Sequence, residues 1–297
     1  MKIGLIDVDG HNFPNLALMK ISAYHKAKGD SVEWVFPLDT YDLVYQAKVF
    51  DNTYSKDIDW MPQAEKIIKG GTGYGIDTKL PEEIEHIYPD YSIYPKLTKN
   101  TGYGYLTRGC PRACGFCIVA DKEGRRSIKV ANLNEFWRGQ RNIKLLDPNI
   151  LACRQHLELL DQLADSAAWV DFTQGLDIRL TNEANIKALN RIKTKMIHFA
   201  WDNPGDDLKA SFERFNELTE IKDYRKKSVY ILTNYNSTIE QDLYRIYTLR
   251  DLGYSPYVMV YNRPKAPKEI RMLQRWCNNR IIFAKCKDFK DYDPSVR

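Results

Sequence analysis

Short apolar runs alternate with longer stretches of helical periodicity along the whole chain, the pattern of an α/β protein with mostly parallel strands. Near the start, Lys2 to Val8 reads as a strand. A helix opens at Pro14-Asn15, runs to about Lys28 with Leu16, Met19, Ile21 and Tyr24 turned inward, and stops at Gly29-Asp30. Ser31 to Phe36 is a second strand and Asp42 to Tyr45 a shorter third. Ala64 to Lys69 then leads into the glycine-rich run Gly70-Gly71-Thr72-Gly73-Tyr74-Gly75. Residues 1–75 read as a small Rossmann-like domain with fewer strands than usual. Residues 76–100 carry Pro81, Pro89, Pro95 and three tyrosines and read as an irregular linker.

A second series fills residues 101–265. Its strands are expected at Gly104–Thr107, Ile143–Leu146, Trp169–Thr173, Met196–Trp201, Ser228–Leu232 and Tyr257–Tyr261. Helical segments separate them, for example His156–Ala164, Glu183–Ile192, Leu208–Leu218 and Ile239–Asp251. Each strand ends in polar residues: Asp147 and Asn149, then Gln174, Asp177 and Arg179, then Asp202 and Asn203, Asn234, and Asn262. In barrels and open α/β sheets alike, ligands bind at that end of the strands. Periodicity alone does not separate these architectures.

Composition narrows the class. The 297 residues hold ordinary apolar content and six cysteines, too few for a disulfide scaffold. No run is long and apolar enough for a signal peptide or a membrane span, so a cytoplasmic protein without a membrane partner is expected. The net charge of +5 is mild but uneven. Residues 266–297 form a basic extension, and the segment Arg263 to Lys290 carries nine lysines and arginines against Glu269 and Asp288. That segment reads as the solvated face of a helix with Leu273 and Trp276 inside, or as a surface for RNA phosphates.

The strongest chemical signal is the run Thr107-Arg108-Gly109-Cys110-Pro111-Arg112-Ala113-Cys114-Gly115-Phe116-Cys117, with spacing C-x3-C-x2-C. Three clustered thiolates suit an iron–sulfur cube, which four cysteines normally close. With three, one iron keeps an open position, and an open position is where a metal site does chemistry. Zinc would ask for a partner pair of Cys or His. The five histidines are scattered, and Cys153, Cys277 and Cys286 stand alone as small buried residues.

This motif resembles that of the radical S-adenosylmethionine (SAM) superfamily. The resemblance implies a partial (β/α)6 barrel, a [4Fe–4S] cluster on Cys110, Cys114 and Cys117, and reductive cleavage of SAM at the open iron to begin a radical modification, methyl transfer included. Phe116 occupies the family's aromatic position near the adenine. Where many members bind the SAM amino group through a Gly-Gly-Glu-like stretch, this chain has Leu146-Asp147-Pro148-Asn149, with Asp147 an acceptor for an ammonium group or a turn residue. Gln174, Asp177 and Arg179 stand where the family contacts the ribose and carboxylate, unless Asp177 and Arg179 pair with each other. Asn234 is a further SAM candidate. A reducing partner such as flavodoxin or ferredoxin is implied too.

The first domain is similar to the cobalamin-binding domains of one branch of that superfamily. Asp9-Gly10-His11 matches the first half of the cobalt-ligand motif D-x-H-x-x-G, but Pro14 replaces its glycine, so His11 is the candidate ligand and loss of cobalamin is equally open. The domain has no cysteine for a second cluster, against an ordinary methylthiotransferase. Two other readings stand beside the enzyme. An electron carrier or sensor would need a fourth thiolate such as Cys153, and an RNA-binding protein would use the basic tail.

Overall fold

The computed structural model describes residues 1–10 and 12–295, so His11 lies outside the described residues. The chain builds two separate parallel sheets. The first contains β1 (Lys2–Asp7), followed by helix α1 (Leu16–Ala27), then β2 (Ser31–Trp34), β3 (Thr40–Ala47) and β4 (Gln63–Gly70), in the order β2-β1-β3-β4. Asn15 caps α1 by accepting the Leu18 N–H at 3.2 Å. The helix then lays Leu18 and Ile21 on Ile3, Leu5 and Leu43, and Ile84 from the next segment closes that small core.

Strand β4 is the element that periodicity did not yield. It is an exposed edge strand bearing Glu65, Lys66 and Lys69, and its pairing with β3, from Thr40↔Gln63 to Ala47↔Gly70, fixes it. Charges on an edge strand hide its pattern while protecting the open edge. The glycines after it serve the chain's own packing. Gly71 has φ +96°, and a Cβ there would meet the Lys48 carbonyl oxygen at 2.3 Å. Between the ends of β1 and β3, the buried Asp9 carboxylate accepts the N–H groups of Val49 and Phe50 at 2.9 and 2.7 Å. The crevice at this sheet's strand ends is therefore drawn together by the residue 48–50 turn.

The short helix α2 (Glu82–Glu85) lies in the connection to the second sheet. There β5 (Thr101–Gly104) is followed by β6 (Thr107–Arg108), α3 (Val119–Glu123) and β7 (Ile128–Lys129). Then come β8 (Asn142–Leu145), α4 (His156–Asp165), β9 (Trp169–Leu176), α5 (Glu183–Arg191), β10 (Thr194–Ala200) and α6 (Lys209–Leu218). The series ends with β11 (Lys227–Thr233), α7 (Ile239–Asp251), β12 (Ser255–Val260), α8 (Lys268–Asn278) and α9 (Arg280–Lys285). Six of these strands form one parallel sheet in the order β12-β11-β10-β9-β8-β5, so neighbours in sequence are neighbours in space. Strands β5 and β12 are its two edges, and no pairing joins them into a closed barrel among the described residues.

The first strand of this sheet corrects the reading of the sequence. It runs Thr101–Gly104 rather than Gly104–Thr107. Its two glycines disguise it, and they are needed because a Cβ on Gly104 would sit 2.2 Å from the Phe136 ring. Thr107 and Arg108 instead pair antiparallel with β7 as a separate two-stranded ribbon.

Parallel crossovers are right-handed almost without exception, so strands that follow in order receive their helices on one face. The buried residues agree: Ile143, Val170, Phe172, Ile197, Phe199, Val229 and Val258 pack with Leu160, Leu189, Phe212, Leu249 and Trp276 of the helices. In the basic tail, α8 buries Leu273, Trp276 and Cys277 and exposes Arg271 and Arg275, as expected of an amphipathic helix.

Replacing Gly71 by Ala is expected to lower stability by about 1–3 kcal/mol, because the left-handed backbone and the Lys48 carbonyl both oppose a side chain. Gly70→Ala, with nothing within 4 Å of its Cβ, should change stability by less than about 0.5 kcal/mol. Urea unfolding of both variants checks the contrast.

Candidate metal centre at the strand ends

The three cysteines lie on a loop that leaves the second sheet after β5 and is tied off at its neck. Thr107 and Arg108 pair with Lys129 and Ile128 across that neck. Glu123 at the end of α3 reaches back to accept from Arg108 Nη1 at 3.0 Å and from the Gly109 N–H at 3.1 Å. The Cys110 N–H donates to the Gly124 carbonyl at 3.1 Å. Gly109 has φ +84°, and a Cβ there would meet the Arg126 carbonyl oxygen at 2.1 Å, so glycine alone suits the turn that presents Cys110.

A buried carboxylate anchors the strand end that feeds this neck. Asp147, just past β8, accepts from the Leu106 N–H at 2.9 Å, the Thr107 N–H at 2.5 Å and the Thr107 hydroxyl at 2.6 Å. Burial pushes its pKa up to about 7, against the pull of those donors and of Arg108. Both of its oxygens are thus directed at the chain itself. Two residues on, the buried Asn149 points its Nδ2 at Cys110 Sγ, 3.6 Å away, while its Oδ1 has no hydrogen-bond partner.

All six cysteines are free thiols. Cys110, Cys114 and Cys117 are half-buried, whereas Cys153 is buried in the core with its thiol on Gln155 Oε1 at 3.4 Å. Burial raises the pKa of Cys114 first of all, and the neighbouring charges of Asp202, Cys117 and Cys110 add to it. Cys117 is likewise raised by burial, with Cys110 among its neighbours. The three thiols therefore feel one another. Among the described residues no three His, Cys, Asp or Glu gather closely enough to share one metal ion. A four-iron cube asks each thiolate for its own iron, so its ligands stand further apart than those of a single ion.

Polar groups at the neighbouring strand ends surround the loop. Asp177 accepts from Arg112 Nε of the cysteine loop and from Arg179 Nε at 2.7 Å, and Arg179 also reaches Asp206 at 2.7 Å. Arg112 went unnoticed in the sequence because nothing in its local context singles it out. Asp202 accepts the Leu232 N–H at 3.1 Å, and burial raises its pKa to about 6. The wholly buried Arg245 caps the carbonyls of Trp201, Asp202 and Leu232 while pairing with Asp242, fastening the ends of β10 and β11. Phe116 meets the ring of Tyr235 edge-on at 5.5 Å, and Tyr235 meets Tyr261 at 4.9 Å. Gln174 is exposed on β9. Asn234, with φ +62°, ties the ends of β11 and β12 through a bond to the Tyr261 carbonyl at 2.8 Å.

No protein-family model matches the chain, and no curated protein matches it. Among solved structures, the chain is similar to the radical S-adenosylmethionine methyltransferase TsrM from Kitasatospora setae with cobalamin and a [4Fe–4S] cluster bound. That match has 12% identity, a TM-score of 0.42, and coverage of 87% of this chain and 66% of that one. The same enzyme with tryptophan substrate and the SAM analog aza-SAM matches at 11% identity and a TM-score of 0.41, covering 86% and 66%. The chain spans about two thirds of the length of these structures, and a likeness of this size assigns neither its fold nor its activity.

Asp147→Asn should alter the pH dependence of stability. The unfolded carboxyl titrates near 3.8 and the folded one at about 7, so between these values the folded state holds the extra proton. This residue's contribution is full below pH 4 and is lost as pH rises towards 7, by at most about 1.4 kcal/mol per pH unit. Wild type should therefore lose stability relative to Asp147→Asn between pH 4.5 and 7 in urea titrations.

Proposed function

We propose that this chain is a radical SAM enzyme. The observation that carries the reading is the pinned loop presenting three free, half-buried thiols at the end of a parallel sheet whose strands follow in sequence order. When bound to Cys110, Cys114 and Cys117, a [4Fe–4S] cluster supplies the electron for reductive cleavage of SAM and, at its open iron, a position for SAM itself. The donor set fits that group: three thiols with no disulfide, and an amide N–H aimed at one sulfur.

In this reading the protein's own residues bind and orient. Phe116 and Tyr235, edge-on to each other, offer ring surfaces against which the adenine packs. Arg179, whose Nε and Nη1 are taken by Asp177 and Asp206, donates to the SAM carboxylate through Nη2, and Gln174 serves the ribose. Asp177 holds both Arg112 and Arg179 in place, so it sets the geometry of the cysteine loop relative to β9. Asp147 and Asn234 position backbone at the strand ends. The six-stranded sheet is the partial barrel of this reading, with flavodoxin or ferredoxin as reductant and the cytoplasm as the reducing compartment that keeps its thiols free. No helix among the described residues is long and apolar enough to cross a membrane.

The first domain fits cobalamin poorly. Its glycine run closes on Lys48, and Asp9 is committed to Val49 and Phe50, so neither is free to receive such a cofactor. No step is assigned to cobalamin. The electron-carrier reading fares less well too, because Cys153 is buried with its thiol on Gln155.

Anaerobic reconstitution with iron and sulfide, followed by dithionite and SAM, should yield 5′-deoxyadenosine by mass spectrometry. Cys114→Ala should lower that product by at least about a hundredfold, while Cys153→Ala retains it. A cluster-loaded wild type that binds no SAM and forms no 5′-deoxyadenosine would instead mark a carrier or sensor.

A further inference from the structure

The face of the six-stranded sheet that the helices leave open carries charged and aromatic side chains where a sheet covered on both sides would carry aliphatic ones. They line up across the strands. Tyr103 on β5 is in register with Lys144 on β8, and Lys144 with Asp171 on β9. His198 on β10 brings Nδ1 to 3.8 Å from Asp171 Oδ1 and stacks on Tyr230 of β11 at 5.0 Å and 9°. Tyr230 meets Tyr257 of β12 edge-on at 5.9 Å. From the first domain, Phe13 closes the β5 side against Tyr103 at 5.5 Å.

Three groups in this row have hydrogen-bonding capacity left over. Asp171 Oδ1 is buried with no hydrogen-bond partner. Lys144 Nζ makes no ion pair among the described residues, and lies 5.3 and 5.7 Å from the centres of the Phe13 and Tyr103 rings. Burial lowers the His198 pKa and favours the neutral ring, whose Nδ1 donates to the Phe172 carbonyl at 3.1 Å, leaving Nε2 as an acceptor. Two acceptors and one cation thus stand side by side between ring walls. Leaving them without partners costs free energy that a matching ligand recovers.

We propose that Lys144, Asp171 and His198 form the recognition site for a zwitterionic α-amino acid. Its carboxylate lies on Lys144, its ammonium on Asp171 and His198, and its side chain among Tyr103, Tyr230 and Phe13. A lone cation would meet Lys144 unfavourably, and a lone anion would meet Asp171 in the same way. Only a ligand carrying both charges on neighbouring atoms satisfies the pair. The inference takes the radical SAM reading as its setting and names the substrate class, but the site itself needs no cluster.

Titration of the full chain, as purified and without iron, separates the two. L-Phenylalanine, 3-phenylpropionate and phenethylamine are compared by calorimetry and by ligand-observed NMR. L-Phenylalanine should bind at least about tenfold more tightly than either analogue, the loss expected for one charge-assisted hydrogen bond. Lys144→Met should reduce its affinity to that of phenethylamine, and Asp171→Asn to that of 3-phenylpropionate, with circular dichroism confirming the fold. His198→Phe, which keeps the stacking on Tyr230, should weaken L-phenylalanine less than Asp171→Asn does. Equal binding of all three probes, binding unchanged in both charge variants, or no binding by wild type would overturn the assignment. None of these outcomes bears on whether the cysteines hold a cluster.

Discussion

Sequential strand order is the constraint on which the second domain's arrangement depends. Because each crossover turns the same way, the helices collect on one face, and the strand ends that carry polar residues collect at one rim. A sheet with a reversal in its order would receive helices on both faces and keep only a crevice for ligands. Here one whole face stays free of helices among the described residues, and the cysteine loop leaves from the edge strand β5 to lie beside the ends of β9 and β10. The first sheet shows the other arrangement. Its order reverses beside β1, yet the residue 48–50 turn has drawn that crevice together.

Within that frame, buried charge does the positioning. Asp147 holds Leu106 and Thr107, Asp177 gathers Arg112 and Arg179, and Arg245 caps three carbonyls at the ends of β10 and β11. Each is a charged group whose partners are largely backbone atoms or neighbouring loops. Such groups cost much to desolvate, and they persist where several hydrogen bonds offset that cost. The rim is therefore stiff at its strand ends, while the thiols between them are half-exposed and reachable.

How much of this was legible in the sequence follows from the physics of each element. The five later strands of the second sheet showed themselves because their helix-facing residues are apolar and their ends are punctuated by Asp, Asn and Pro. Strand β5 was displaced because Gly102 and Gly104, needed for the approach of Phe136, erase the alternation. Strand β4 was missed because an exposed edge has no apolar face to read. The cysteine trio was visible from spacing alone. Its supports were not: Glu123, Arg112 and Arg245 act over long sequence separations or inside helices with no local signature. The Lys144–Asp171–His198 row was hidden for the same reason, since only strand register brings those residues abreast.

Mössbauer spectroscopy of the chain reconstituted with iron-57, recorded without and with SAM, tests the central claim most directly. The account predicts a [4Fe–4S] cluster in which one iron differs from the other three and changes its signal when SAM is added. Four equivalent irons that ignore SAM, or a chain that takes up a single zinc ion on these cysteines in place of a cluster, would contradict it.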